Sequence, residues 1–519
     1  MSGHLKVAGT ILGVGLLGIL AAKYLLPIFQ ESQQRATSDA VSTKGSLNIG
    51  MDNWVGYFPL CSQQMQARMR HAGYVLGCEN DNADYQERFK RLKAGKLQFA
   101  VATVDSYLLN AKPLDFPGTI VAVIDESKGG DAIVARKNAV ASLDELRGKG
   151  GLKVAFTPDS PSAHLLKAIG SHFDIARLKS SSGPWQLPTN GSEEALQQLL
   201  SGKADVAVLW EPDVTRALSH AGIVKLMGTE DTDRLIVDIL VVNRAFSQDH
   251  PEAVRELLDN YFQVLKEYKE RPEELREEVV EVMDLDAAQV HPMLKGVAWA
   301  GLNENGAIWF GISPHGAITD EGIVETIDSV IKILQESGDF KENPLPDGDP
   351  YRITNRQFIS ELYAARSSTT VSGPTRAGTG SLDRAFAPLD AKGWARLKEV
   401  GTLKVDPIGF QSGTSQLAFE GKLVLDRAAE RIKHYPNFRL LVKGHTGLRG
   451  DDAANRRLSQ ERADSVTRYL MVTYGLDANR IQSLGYGSSR PLPRQPDESE
   501  RAYGYRLPRV ELSFAAEDF

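Results

Sequence analysis

Cysteine is almost absent from this 519-residue chain, with only Cys61 and Cys78 present. Neither Cys-x-x-Cys nor His-Glu-x-x-His occurs and the ten histidines are scattered, so no metal is expected. Positive charge is not in excess: 60 Lys+Arg face 67 Asp+Glu, a net charge of −7. That balance argues against a nucleic-acid partner, because affinity for a phosphate backbone comes mainly from Lys and Arg. Asp and Glu are missing from the long apolar run near the amino end, whereas the span of an ion-driven stator needs a titratable carboxylate. No cysteine follows that run within 20 residues, which speaks against a lipid-anchored protein. The formal match Gly13-x-Gly15-x-x-Gly18 has no strand before it and no βαβ unit around it, so no dinucleotide or other cofactor is expected.

What is present is ordinary globular material, 42% apolar and 24% charged, enough for about two to four domains at roughly 100 to 200 residues each. The apolar run, residues 7–29, carries one charge, Lys23, and is preceded by Lys6. At about 1.5 Å per residue, some 20 residues cross about 30 Å of hydrocarbon. The run therefore reads as a transmembrane helix within a signal anchor over 1–45, with Lys6 holding the amino end in the cytoplasm. A secretory signal cleaved near Leu20-Ala21-Ala22 is the other reading, and both send the remaining chain across the membrane. In that oxidising compartment Cys61 and Cys78 are disulfide candidates, with two buried thiols as the alternative.

From 46 to 364, β-rich runs at 47–50, 99–103, 120–124, 153–156, 206–210 and 236–243 alternate with helical stretches at 63–72, 85–94, 163–173 and 193–201. This alternation predicts an α/β fold with mostly parallel sheets, whose ligands sit beyond the carboxyl ends of the strands. Polar and aromatic residues follow those ends, among them Asp52, Trp54, Tyr57, Asp105, Asp125 and Ser127. Ser160 before Pro161 is a good helix start, fit either to cap its own helix or to offer backbone N–H groups to an anion.

Four pieces occur in order: Asp52-Asn-Trp54-x-Gly56-Tyr57; Gly95 followed by Ala100-x-Ala102-Thr103-x-Asp105-Ser106; Asp125-x-Ser127-x-Gly129-Gly130-Asp131; and Gly202-Lys-Ala-Asp205-x-Ala207-Val-Leu-Trp210-Glu211-Pro212. Together they resemble the periplasmic solute-binding proteins of the nitrate, sulfonate, taurine and thiamine-precursor type, over residues 46–345. The resemblance implies a two-lobed type II periplasmic-binding-protein fold, with lobes joined by crossing strands and closing on a small solute. It implies Asp52, Trp54, Tyr57, Asp105, Ser127, Asp131, Ser160, Ser162, Trp210 and Glu211 as ligand-binding residues. The solute it implies is anionic or zwitterionic, although Asp105 or Glu211 equally suits an amine. Relatives that make a thiamine precursor use a Cys-rich motif absent from this chain, so no enzymatic activity is expected.

Residues 366–381, RSSTTVSGPTRAGTGS, read as part of a flexible linker over 365–390. Beyond it, 391–519 holds 21 Lys+Arg against 16 Asp+Glu, or +5, leaving −12 for the preceding residues. Strands near 402–405, 438–443, 481 and 510 and helices at 418–433 and 453–472 predict a compact α/β sandwich. Gly444-His445-Thr446-x-x-x-Gly450, Asn455-x-x-Leu458-Ser459-x-x-Arg462-Ala463-x-x-Val466, Gly485-x-Gly487 and Pro491 resemble the OmpA-type peptidoglycan-binding domain. That resemblance implies wall contact through Thr446, Asn455, Arg462 and Arg509, with Arg462 holding the free carboxylate of a diaminopimelate side chain. Two departures stand out: Gly447 replaces the Asp of the family, and Leu507-Pro508-Arg509-Val510 replaces Asn-Arg-Arg-Val. The missing Asp removes an anchor for the ligand's amine and points to weakened wall binding unless Arg449 or Asp451 substitutes.

Together these features describe a single-pass inner-membrane protein with its bulk in the periplasm, acting as envelope sensor, scaffold or transport receptor. The alternatives are an anchored substrate-binding component of an ABC importer, with a permease as partner, and a structural envelope scaffold with no ligand.

Overall fold

The structure, a computed structural model, describes residues 43–179, 183–283, 285–312, 321–367, 386–411 and 413–517. The expected span at 7–29 and most of the expected linker lie outside them, and among the described residues no helix is long and apolar enough to cross a membrane.

Three sheets organise the chain. The first comprises β1 (Gly45–Met51), β2 (Tyr74–Asn80), β3 (Phe99–Thr103), β4 (Gly118–Ser127), β10 (Val237–Asn243) and β11 (Val297–Trp299), in the order β11-β4-β10-β3-β1-β2. The second comprises β5 (Asp131–Arg136), β6 (Val154–Phe156), β7 (Gln186–Pro188), β8 (Val206–Trp210) and β9 (Ile223–Gly228), in the order β7-β6-β8-β5-β9. β3, β4, β8 and β10 are buried along their whole length, as strands covered on both faces must be, and their sequences are accordingly near-continuous apolar runs.

The sheets are mixed rather than mostly parallel. β1 runs parallel to β2 and β3, and β6 parallel to β7 and β8, but β10 is antiparallel to β3 and β4, and β5 antiparallel to β8 and β9. The reason is the path of the chain. It crosses from the first lobe to the second at 128–130 and returns at 229–236. A strand that has just crossed enters its new sheet from the cleft end, where the parallel strands finish, and so must run against them.

Local signals set the helix starts. Ser62, Asp84 and Ser160 each accept a backbone N–H at the start of the helices Gln63–His71, Tyr85–Lys93 and Pro161–His172. Cys61 and Cys78 are joined in a disulfide, with 6.3 Å between their Cα atoms, tying the turn after β1 to β2.

The third sheet takes β12 (Lys398–Thr402), β13 (Arg439–His445), β14 (Ile481–Gly485) and β15 (Arg509–Ala516), in the order β12-β15-β13-β14, with the helices Phe419–Lys433 and Asp452–Tyr474 packed on it. β13 approaches the longer helix so closely that a Cβ at Gly444 would collide with the Ser459 carbonyl. This domain is docked on the second lobe. Gly401 lies against the Phe173 ring, Phe173 meets Tyr435 and Phe514 at 5.3 and 6.1 Å between centroids, and one apolar core runs through both.

Candidate functional site

The cleft between the first two lobes is lined from both sides by strand ends. After β1, the turn Val55–Tyr57 brings Asp52, Trp54 and Tyr57 inward. Asp52 accepts the Trp54 backbone N–H at 3.1 Å, the Tyr85 hydroxyl at 3.2 Å and Arg88 Nη2 at 3.1 Å. Arg88 is wholly buried, pairs also with Asp81 and donates to the Val101 carbonyl at 2.7 Å, so all its charge is directed at protein groups. Trp54 Nε1 donates to the two oxygens of Asp125 at 3.3 and 3.2 Å, and the Tyr57 hydroxyl bonds to Asp238.

Asp125 on β4 and Asp238 on β10 sit opposite one another in register. Burial pushes Asp125 up to about 8 against the Trp54 N–H that favours its charged form, and the charge of Asp131 adds to the rise. Asp238 is raised well above the usual carboxylate range, by burial first and by Asp125 next. Two facing buried carboxyls cannot both ionise cheaply, so the pair retains a proton near neutrality.

From the second lobe come Asp131 at the start of β5, Trp210 at the end of β8 and Pro161 at the helix start. Burial pushes Asp131 up to about 7, opposed by a hydrogen bond from Ser127. Trp210 Nε1 donates across the cleft to Asn53 at 3.1 Å, Asn82 donates to the Asn190 carbonyl at 3.3 Å, and Asn110 to the Asp159 carbonyl at 3.2 Å. The lobes are thereby closed, leaving about 10 Å³ of free space, room for about one water. Gly130 lies so tightly against the Trp54 ring that a Cβ there would overlap it.

Of the residues expected at the ligand, Asp52, Trp54, Tyr57, Asp131 and Trp210 come together around this space. The others are turned to local partners. Asp105 accepts from Ser106 at 3.3 Å, and Ser127 bonds to Thr229 at 2.7 Å within the crossing. Ser160 caps its own helix and donates to the Thr157 carbonyl at 2.6 Å, and Ser162 donates to the Val208 carbonyl at 3.3 Å. Glu211 is capped by the N–H and hydroxyl of Thr215 at 2.9 and 2.7 Å, while burial pushes it up to about 7. Sequence reasoning missed Tyr85, Ile236 and Asp238 as lining residues, and quoted Thr103 and Pro161 in its motifs without assigning them to the ligand. Asp238 carried a signal, as the single charge in the apolar strand Val237–Asn243; Tyr85 did not.

In the third domain, Thr446, Asn455 and Arg509 gather at the carboxyl end of β13. The Thr446 N–H donates to the Gly487 carbonyl at 2.9 Å, and Gly487 in turn lies against the backbone of Asn455. Asn455 Nδ2 donates to the Arg449 carbonyl at 3.1 Å, and Arg509 lies opposite His445 and bonds to Glu511 at 2.6 Å. Arg462 lies two turns along the helix, over the Phe410 ring at 5.1 Å, with Nε donating to the Thr414 carbonyl at 3.2 Å. Among the described residues no carboxylate pairs with it, and partial burial lowers its pKa. At Gly447 the nearest atom to a Cβ would be Pro508 Cγ at 4.0 Å, so there is space for a side chain.

Two α/β lobes with two crossings enclose a buried polar pocket, and the chain continues into a second type of α/β domain. Residues 82–280 match the family described as ABC transporter, phosphonate, periplasmic substrate-binding protein, and residues 409–504 match the OmpA family. The chain thus joins a periplasmic substrate-binding region to an OmpA domain. Outer membrane porin F of Pseudomonas aeruginosa is 32% identical over 119 residues, 23% of this chain and 34% of that protein. The peptidoglycan-associated lipoprotein of Rhizobium meliloti is 31% identical over 87 residues, 17% of this chain and 49% of that protein. The chain therefore spans between a third and a half of the length of these relatives. Among solved structures, the alkanesulfonate-binding protein SsuA from Xanthomonas axonopodis pv. citri bound to MOPS is similar at a TM-score of 0.45 and 15% identity, covering 61% of this chain and 100% of that one.

Proposed function

We propose that this protein is a tethered envelope receptor: two lobes close on a small solute, the OmpA domain contacts peptidoglycan, and residues 7–29 hold the chain in the inner membrane with its bulk in the periplasm. The observation that carries this reading is the pair of crossings, at 128–130 and 229–236, flanking a buried pocket lined from both lobes. Arg462, a half-buried cation with no carboxylate partner among the described residues, supports the wall contact. Tethering suits a receptor that senses, scaffolds or hands its cargo to a neighbour, because confinement raises the effective concentration.

A thermal-shift screen of small solutes on the purified protein tests the receptor. A ligand at 100 times its Kd stabilises by about 2.7 kcal/mol; a screen with no stabiliser in any chemical class leaves a scaffold. The match over 82–280 favours a second reading, delivery to an ABC permease. Co-purification of a permease in detergent, with uptake lost on deletion of this chain, would establish it.

A further inference from the structure

We infer that the solute carries a protonated amine, whose ammonium group lies against Asp131 between the rings of Trp54 and Trp210. This rests on the receptor reading above and names its ligand class.

Asp131 is 2% exposed, it lines the pocket, and its Oδ1 has no hydrogen-bond partner. A buried carboxylate oxygen left without a donor is costly, and a ligand N–H removes that cost. The surroundings select the donor's charge. Asp52 and Asp238 line the same space with Asp125 behind them, paired to Asp238 and Trp54, and Arg88, behind Asp52, is fully engaged by Asp52, Asp81 and Val101. Among the described residues lining the site there is no cation to meet an anion. The helix start at Pro161 offsets this little: Pro161 has no N–H, the Ser162 N–H is taken by Ser160 Oγ and the His164 N–H by the Ser160 carbonyl, and the Ser160 and Ser162 hydroxyls go to the Thr157 and Val208 carbonyls.

The kind of cation follows from the walls. Among the described residues no three His, Cys, Asp or Glu side chains are arranged to hold a metal ion. The aromatic faces of Trp54 and Trp210 instead suit a weakly hydrated organic ammonium, which ring quadrupoles attract. The closed lobes leave no room for such a group, so entry requires the Trp210 to Asn53 contact to open. The ammonium comes either from a simple amine or from an aminoalkyl acid, and the two are told apart by their unsubstituted counterparts.

The test is isothermal titration of the full-length protein with ethanolamine, choline and putrescine, with 2-aminoethylphosphonate and taurine, and with ethylphosphonate and ethanesulfonate. Binding by amine-bearing probes, with affinity rising from pH 6 to 8 as the cleft carboxyls ionise, is the expected result. Asp131→Asn should weaken it at least tenfold while far-ultraviolet dichroism stays unchanged. Asp238→Asn, at the opposite wall, serves as the second variant should the first fail to fold. Binding of ethylphosphonate or ethanesulfonate with none by the amines overturns the inference and leaves the receptor reading intact. Absence of binding by every probe overturns both. If simple amines bind as tightly as the aminoalkyl acids, the ammonium alone is recognised; if only the acids bind, the cleft takes zwitterions through the same group.

Discussion

His434 and Asp233 hydrogen-bond in both directions: the His434 ring Nδ1 donates to the Asp233 carbonyl at 2.9 Å, and the Asp233 N–H donates to the His434 carbonyl at 2.8 Å. Asp233 belongs to the second crossing between the lobes, and His434 closes the first long helix of the OmpA domain. Asn437 donates to the Glu230 carbonyl of the same crossing at 2.6 Å, and His434 Nε2 meets Ser329 on the helix Gly322–Glu336 at 3.1 Å. The OmpA domain therefore bonds to the second crossing itself.

Acid should loosen this contact. His172 and His434 stack at 5.7 Å between centroids, and burial pushes both rings' pKa values down; the charges of His434, Arg431 and His164 lower His172 further. The folded values lie below the unfolded ones, so the stabilisation is present above about 6.5 and is lost as pH falls below it. Small-angle scattering between pH 7.5 and 5 should show the radius of gyration rising, and His434→Ala should show that larger radius already at pH 7.5. An unchanged radius in both would refute the coupling.

The cleft should respond in the opposite sense. Asp125, Asp131 and Glu211 are raised by burial to about 8, 7 and 7. Carboxyls whose folded values exceed their unfolded ones near 4 hold more protons when folded, so their contribution declines as pH rises through the folded values. Without ligand, melting temperature should fall between pH 6.5 and 8.5, and Asp125→Asn should flatten that slope. A slope of the reverse sign would contradict the placement of these groups.

Removing the disulfide should cost stability without changing the fold. Cys61 and Cys78 are 17 residues apart, and closing a loop of that size stabilises by about 3 kcal/mol through the unfolded chain. Urea unfolding of a Cys61→Ser/Cys78→Ser variant should show that loss, and excess reductant should lower the parent protein to the same midpoint.

Wall binding should depend on two positions with opposite effects. Arg462→Ala should abolish co-sedimentation with isolated sacculi, since among the described residues no carboxylate pairs with this cation. Gly447→Asp should strengthen it several-fold, because the position has room for a side chain and directly follows Thr446. Equal pelleting of all three proteins would remove Arg462 from the contact.

Two of the strands buried along their full length were legible to the residue, whereas β4 extends beyond the run at 120–124 to Gly118–Ser127. β3 and β8 coincide with the apolar runs at 99–103 and 206–210, and the Ser160-Pro161 start of its helix was read from capping chemistry alone. β2, β5 and β9 were not, because β2 and β9 are only partly buried and mix apolar with polar residues, and β5 follows β4 too closely to look separate. Five cleft residues were found at strand ends, yet Ser160, Ser162 and Glu211, equally plausible by position, are occupied by neighbours within their own lobe.

Sequence alone determined the α/β alternation and the strand ends where a ligand would sit, because periodicity and caps act over a few residues, and the two lobes and the OmpA domain followed from the resemblance of its ordered motifs to known families. Tertiary structure alone decided which carboxyls face one another and where the OmpA domain rests. Asp125 meets Asp238, and His172 meets Tyr435 at 2.7 Å. Those encounters join residues more than a hundred positions apart, and they depend on where the chain crosses between lobes, a choice made by burial of the whole core rather than by any local pattern.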